Sequence, residues 1–184
     1  MRGFLRNRYM VKRTFDIFLS CFGLFFLFPF WIIFAFAIWL EDGFPVFYIQ
    51  HRVGRRNSRF RTIKFRTMYY KKRNPVIAGF LRQTAMDESP QLINILKGEM
   101  SFVGPRPLIP EQINLGEELH LRSSVCPGLT GIAQVVAAKD APITEKLKYD
   151  LWYIENQSLL LDIRLILKSF WMSFNKRWDM ISSK

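Results

Sequence analysis

The sequence predicts a mainly helical α+β protein, in which a re-entrant membrane helix-break-helix carries a small cytosolic domain with a β-hairpin and interfacial helices. Three observations predict it. An uncharged run of 24 residues, Ile17 to Leu40, has basic residues on both sides. Two strand-like segments flank a basic turn, and a series of short amphipathic segments ends in an apolar run containing two Trp. At 184 residues the chain has room for about one domain of ordinary size. Residues 1–184 are accordingly read as one unit: an N-terminal helix over about 12–42 with its membrane segment at 17–40, and a membrane-surface part over 43–184.

Composition narrows the class. Twenty-seven Lys and Arg against fifteen Asp and Glu give a formal charge of +12 and a pI near 10.0, which implies an anionic partner. Hydrophobic residues make up 49%, with eighteen Phe, more typical of a membrane-associated protein than of a soluble nucleic-acid binder. Cys21 lies inside the apolar run, and Cys126 precedes Pro127-Gly128 with no His or Cys at ligand spacing. Both read as buried or incidental thiols.

As a helix, Ile17–Leu40 would reach about 36 Å at about 1.5 Å per residue, enough to cross a bilayer. It lacks the small-residue cleavage pattern of a signal peptide, so it is expected to stay in the protein. Arg2, Arg6, Arg8, Lys12 and Arg13 precede it, and Arg52, Arg55, Arg56, Arg59, Arg61, Lys64 and Arg66 follow. Both ends therefore look cytoplasmic. Pro29, near the middle, removes a backbone donor, so the favoured arrangement turns at Pro29 and returns to the same side. An ordinary spanning helix kinked at Pro29 is the alternative. Asp16, three residues after Arg13, reads as a neutralised interfacial charge.

Phe44–Ile49 and Arg59–Thr67 read as strands joined by the basic turn Val53-Gly54-Arg55-Arg56-Asn57, a hairpin. Met68–Met86 reads as partly helical, Pro90–Leu96 as a helix closed by Gly98, and Gly104-Pro105-Arg106-Pro107 as a rigid loop. Pro110–Arg122 and Ile143–Glu155 are further helix candidates. The run Leu159–Trp178 mixes apolar bulk with Lys168, Lys176 and Arg177, as a helix lying in the membrane interface does; packing in a core is the alternative.

The chemical signal is Asp87-Glu88. The forty-four residues between Asp42 and Asp87 contain eleven Lys or Arg and no carboxylate, so an acidic doublet at their end calls for a reason. With Ser89 as N-cap and Pro90 as first helical residue, the doublet would stand just before a helix N-terminus. Two acids there are ordinary dipole partners. The surrounding cations add a second reading, a phosphate-binding site with a reactive carboxylate. Arg and Lys neighbours would lower the carboxylate pKa and keep it ionised, as a nucleophile or divalent-metal ligand requires.

The stretches Lys64-Phe65-Arg66-Thr67-Met68 and Leu81 to Pro107, LRQTAMDESPQLINILKGEMSFVGPRP, resemble the monotopic phosphoglycosyl transferases, the bacterial sugar transferases. Pro127-Gly128-Leu129-Thr130-Gly131-Ile132-Ala133-Gln134 and Tyr149-Asp150 through Ile163 extend the resemblance from Lys12 to about Leu167. It implies transfer of a sugar 1-phosphate from a UDP-sugar to polyprenol phosphate (undecaprenyl phosphate), with UMP released at the cytosolic face of the bacterial inner membrane. It further implies Asp87 as the nucleophile forming an aspartyl phosphosugar, Glu88 as its dyad partner, Mg²⁺ held at Asp87 and Glu88, and phosphate contacts from Arg82 and Arg106. Lys64 and Arg66 fall in a matching motif and are counted with the phosphate-binding residues. The partners expected are the UDP-sugar, the lipid phosphate and one bilayer leaflet, with a homodimer as an open option.

Two positions depart from the family pattern. Phe28-Pro29 replaces a common Ser-Pro, which removes a hydroxyl able to satisfy a freed carbonyl. Val135-Val136-Ala137-Ala138-Lys139 replaces an Asn-Gly-Arg type turn, with Lys139 the candidate for the missing cation. A rival reading is a membrane-tethered nucleic-acid binder using segment 52–73, where cations alternate with aromatics such as Phe60 and Phe65.

Overall fold

A computed structural model describes residues 2–68, 76–115, 121–137 and 141–182, with side chains over 9–68, 77–112, 121–137 and 141–173. Helix α1 spans Arg2–Asp42. Pro29 lies within it, and helical backbone continues on both sides, so the expected interruption into two helices is absent. A proline removes one helical hydrogen bond, which need not end a helix whose neighbouring turns are held by packing.

What holds those turns is a stripe at helical spacing. Asp16, Ser20, Gly23, Leu27, Trp31, Phe34, Ile38 and Asp42 recur every three or four residues and face the rest of the molecule. At one end Lys12 pairs with Asp162 at 2.6 Å, and Asp16 accepts the Phe102 backbone N–H at 3.1 Å. Asp16 is buried, not at an exposed interface as expected, because it satisfies an inward-facing backbone donor that would otherwise be orphaned. Arg13, the assumed partner of Asp16, instead donates to the carbonyls of Ile95 and Leu96 at 2.5 and 2.6 Å. Leu24 and Leu27 pack on Phe60, Leu92, Ile95 and Met100. Further along, Phe34 and Ile38 share a cluster with Val46, Phe65 and Leu81. The opposite face exposes Phe18, Phe22, Phe25, Phe26, Phe28, Ile32, Ile33 and Phe36, and only 11% of the most apolar stretch is buried.

Strands β1 (Phe47–Val53) and β2 (Arg59–Phe65) form the expected antiparallel hairpin. Their register pairs Tyr48 with Lys64, Gln50 with Thr62 and Arg52 with Phe60. Helix α2 covers Val76–Gln83, and α3 covers Leu92–Lys97, ending on Gly98 at φ 86, a left-handed cap that favours glycine. Strands β3 (Ser101–Val103) and β4 (Gly128–Thr130) pair in parallel. Of the helix expected over Pro110–Arg122, Pro110–Leu115 forms a 3-10 helix and Leu121 and Arg122 are helical; residues 116–120 lie outside the described residues. Helices α4 (Ile132–Val136), α5 (Ile143–Asn156) and α6 (Leu159–Ser182) complete the chain.

Helix α6 buries Asp162 and Leu165 while exposing Leu160, Ile163, Leu167, Phe170 and Trp171, an apolar stripe at helical spacing. Phe60 and Phe65, the rings required by the nucleic-acid reading, are 6% and 1% exposed. They are core residues and cannot stack on bases.

Candidate active site

In an antiparallel pair, directly opposed residues share a face, and alternate residues along a strand share it too. The β1–β2 register therefore places Gln50, Arg52, Thr62 and Lys64 on one face. Against this face lies a 3-10 segment, Met86–Gln91, entered through Ala85 at φ 56. It holds Asp87 and Glu88 in its first turn. The α-helix starts only at Leu92, so the doublet does not stand at an α-helix N-terminus as expected. Ser89 makes no capping bond: its hydroxyl donates to the Met86 carbonyl at 2.7 Å and accepts from Trp31 Nε1 at 2.9 Å. The competing tertiary bond from α1 decides the role of Ser89.

Glu88 Oε1 receives Lys64 Nζ at 2.5 Å and lies 3.5 Å from Arg106 Nη2. These groups, with Arg52, Thr62 and Gln91, line one cleft. Arg52 donates to the Pro107 carbonyl at 3.1 Å and to Gln50 Oε1 at 2.6 Å. Burial, and then the neighbouring Arg106 charge, lower its pKa. Arg52 was not singled out among the basic residues, although its register position opposite Phe60, on the Lys64 face, could have marked it. Three cationic groups around one carboxylate leave the cleft positively charged and suited to phosphate.

Asp87 is partly buried, and its pKa is pushed up to about 6 by burial first and by Glu88 second; Lys64 and Arg82 oppose the shift. This reverses the expected lowering, because loss of solvent and a like charge next door outweigh the cations. Arg82 sits exposed in the last turn of α2 and acts on Asp87 through its charge. Arg66 does not join the cleft. It is 5% exposed, pairs with Asp42 at 3.0 Å and donates to the Gly43 carbonyl at 2.8 Å. Strand β2 ends at Phe65, where the alternation that would have put Arg66 beside Lys64 stops.

The Arg106 loop is fixed by close backbone contact. A Cβ on Gly104 would fall 2.4 Å from the Cys126 carbonyl oxygen, and one on Gly128 would fall 2.1 Å from the Gly104 nitrogen. Only glycine permits this approach. From below, Arg122 donates to the Arg106 carbonyl at 3.0 Å and pairs with buried Asp150 at 2.7 Å. Val135 and Val136 lie in α4, while Ala138 and Lys139 lie outside the described residues, as does the 69–73 part of segment 52–73.

An apolar helix bonded to Ser89, the residue that follows the carboxylate pair, thus stands beside a cationic cleft. A family model for bacterial sugar transferase matches residues 7–176, and the chain belongs to that family of phosphoglycosyl transferases. It is 32% identical to the exopolysaccharide production protein ExoY of Sinorhizobium fredii (strain NBRC 101917 / NGR234), over 86% of this chain and 83% of that protein. Similarity extends to the undecaprenyl-phosphate galactose phosphotransferase of Salmonella typhimurium, at 32% over 89% of this chain and 40% of the relative. The undecaprenyl-phosphate glucose phosphotransferase of Komagataeibacter xylinus is 36% identical over 84% of this chain and 34% of its own length. The chain thus spans most of the first relative and under half of the other two.

Proposed function

We propose that the protein transfers a sugar 1-phosphate from a UDP-sugar to undecaprenyl phosphate, releasing UMP, at the cytosolic face of the bacterial inner membrane. The observation that carries this reading is Glu88, held between Lys64 and Arg106 beside the partly buried Asp87. Two of the relatives are named for sugar-phosphate transfer to undecaprenyl phosphate.

In the first step an Asp87 carboxylate oxygen attacks the phosphorus bonded to the sugar. The new Asp87 O–P bond forms as the bond to the UMP oxygen breaks. In the second step an oxygen of the lipid phosphate attacks the same phosphorus, and the Asp87 O–P bond breaks, giving the lipid diphosphosugar and free Asp87. One difficult transfer becomes two easier ones. Lys64, Arg106, Arg82 and Arg52 neutralise phosphate charge that the anionic nucleophile must approach. Glu88 anchors Lys64 and Arg106 at the cleft.

Asp87 and Glu88 are the residues that would hold Mg²⁺. The like charge of Glu88 beside Asp87 contributes to the upward shift of the Asp87 pKa, and a bound cation would relieve that repulsion. Among the described residues no cluster of three His, Cys, Asp or Glu could hold a metal, and two carboxylates completed by substrate phosphates are the usual protein share of a Mg²⁺ site. When bound, the ion would offset diphosphate charge.

A placement with both ends of α1 on the cytosolic side is supported by its contacts. Lys12 and Asp16 pack on the domain at one end, and Ile38 and Asp42 do so at the other. A spanning helix would carry one end away. The exposed stripe of α6 gives the domain a second apolar surface to lay on lipid.

Offering a panel of UDP-sugars with undecaprenyl phosphate and Mg²⁺, and following UMP, tests the reaction. UMP release dependent on one sugar nucleotide supports it; no release with any of them contradicts it.

A further inference from the structure

Gln91 is 3% exposed, yet its Nε2 has no hydrogen-bond partner. It closes the 3-10 segment that carries Asp87 and Glu88 and precedes α3, where its side chain makes no capping bond. Gln91 lines the cleft with Arg52, Thr62, Lys64, Glu88 and Arg106. A buried amide donor without an acceptor is destabilising, and natural proteins seldom keep one. Here the other charged donors around it are cationic, and the acceptor oxygen they share, Glu88 Oε1, is already held by Lys64 and Arg106. The missing acceptor is therefore one that a ligand brings, and the surrounding charge selects an anion.

We infer that the Gln91 amide donates a hydrogen bond to a phosphoryl oxygen of the bound substrate, making it a phosphate-binding residue beside the arginines. The inference rests on reading the cleft as a substrate-phosphate site. The oxygen has two sources, the nucleoside diphosphate and the lipid phosphate, and a neutral donor suits either. Gln91 adds a contact without adding charge. Four residues after Asp87, it holds a phosphoryl group beside cations that already carry the electrostatic load.

The two states of the protein then make opposite demands on Gln91, which separates this role from a structural one. Gln91→Met keeps length and volume but removes the donor. In the full-length protein without ligand, the melting temperature is expected to stay level or rise, because an orphaned polar group is gone. Affinity for UDP, for a short-chain polyprenyl phosphate, or for both is expected to fall ~10-fold or more, the effect of one hydrogen bond to a charged group. The arm that falls identifies the source. A lower melting temperature without ligand, or unchanged affinity in both arms, would overturn the assignment. Turnover measured alongside keeps the two claims apart: wild-type UMP release with unaltered binding in Gln91→Met sinks only the Gln91 role. Weakened UDP binding in Gln91→Met, with no wild-type turnover on any UDP-sugar, sinks the transfer reaction and leaves Gln91 in place.

Discussion

Trp31 Nε1 donates to Ser89 Oγ at 2.9 Å, so the apolar helix is bonded, two residues past Pro29, to the residue that follows Asp87-Glu88. Ser89 passes the contact on to the Met86 carbonyl at 2.7 Å. The placement of α1 and the geometry of the doublet are thereby one structural fact.

Breaking that link should cost activity more than folding. Trp31→Phe removes the Trp31–Ser89 hydrogen bond, and Ser89→Ala removes it together with the bond to the Met86 carbonyl, each worth about 1 kcal/mol. Each is expected to lower kcat/KM about five- to tenfold while the protein stays in the membrane fraction. The double variant should be scarcely worse than Ser89→Ala alone, since that variant has already lost the bond from Trp31. Additive losses in a double-mutant cycle would show that the two residues act separately.

Asp87→Asn should abolish turnover and stabilise the metal-free protein. The folded pKa of Asp87, about 6, exceeds its ordinary value of 3.8, so the fold prefers the protonated form. The stability contributed by that preference is fully present below the unfolded pKa and is lost as pH rises through about 6. Asn does not titrate. In thermal melts with chelator, the variant should match the wild type near pH 4 and melt a few degrees higher at pH 7.5. A variant that melts lower at pH 7.5 contradicts this.

Arg66 and Arg106 should separate cleanly. Arg66→Met strands Asp42, whose side chain is 2% exposed, and removal of one partner of a buried pair costs about 3–5 kcal/mol. Its expected phenotype is loss of folded protein in a denaturant titration. Arg106, with a side chain 52% exposed, should lose about a hundredfold in kcat/KM on change to Ala, with an unfolding midpoint near that of the wild type. The reverse pattern would restore Arg66 to the phosphate site.

This pair also marks how far the sequence could be read. The hairpin was legible because a Gly-Arg-Arg-Asn turn is a local signal, although the first strand, read at Phe44–Ile49, lies at Phe47–Val53; Gly98 announced the end of α3 in the same way. Asp87, Glu88, Lys64 and Arg106 were singled out from their motifs, and the structure brings Lys64 and Arg106 to Glu88. Arg66 was counted beside Lys64 because the two share a motif, whereas it lies buried against Asp42, one residue past the end of strand β2, a boundary no local preference fixes. Asp16 and Ser89 were misassigned for a different reason. Their partners, Phe102 and Trp31, lie 86 and 58 positions away, and tertiary bonds of that range override the capping and interface rules that a local reading applies.

The proposed topology rests on the two anchored ends of α1. Single cysteines introduced at residues 3 and 57, in a background lacking Cys21 and Cys126, should both resist an impermeant thiol reagent in intact cells and react after lysis. Labelling of either site from outside would mean that α1 spans the membrane.

The central claim is that Asp87 carries the phosphosugar. Protein incubated with its UDP-sugar and Mg²⁺, without lipid phosphate, should release UMP and gain the mass of one sugar phosphate, and peptide mapping should place that mass on Asp87. An adduct on Glu88, or strictly sequential kinetics with no adduct, would contradict it.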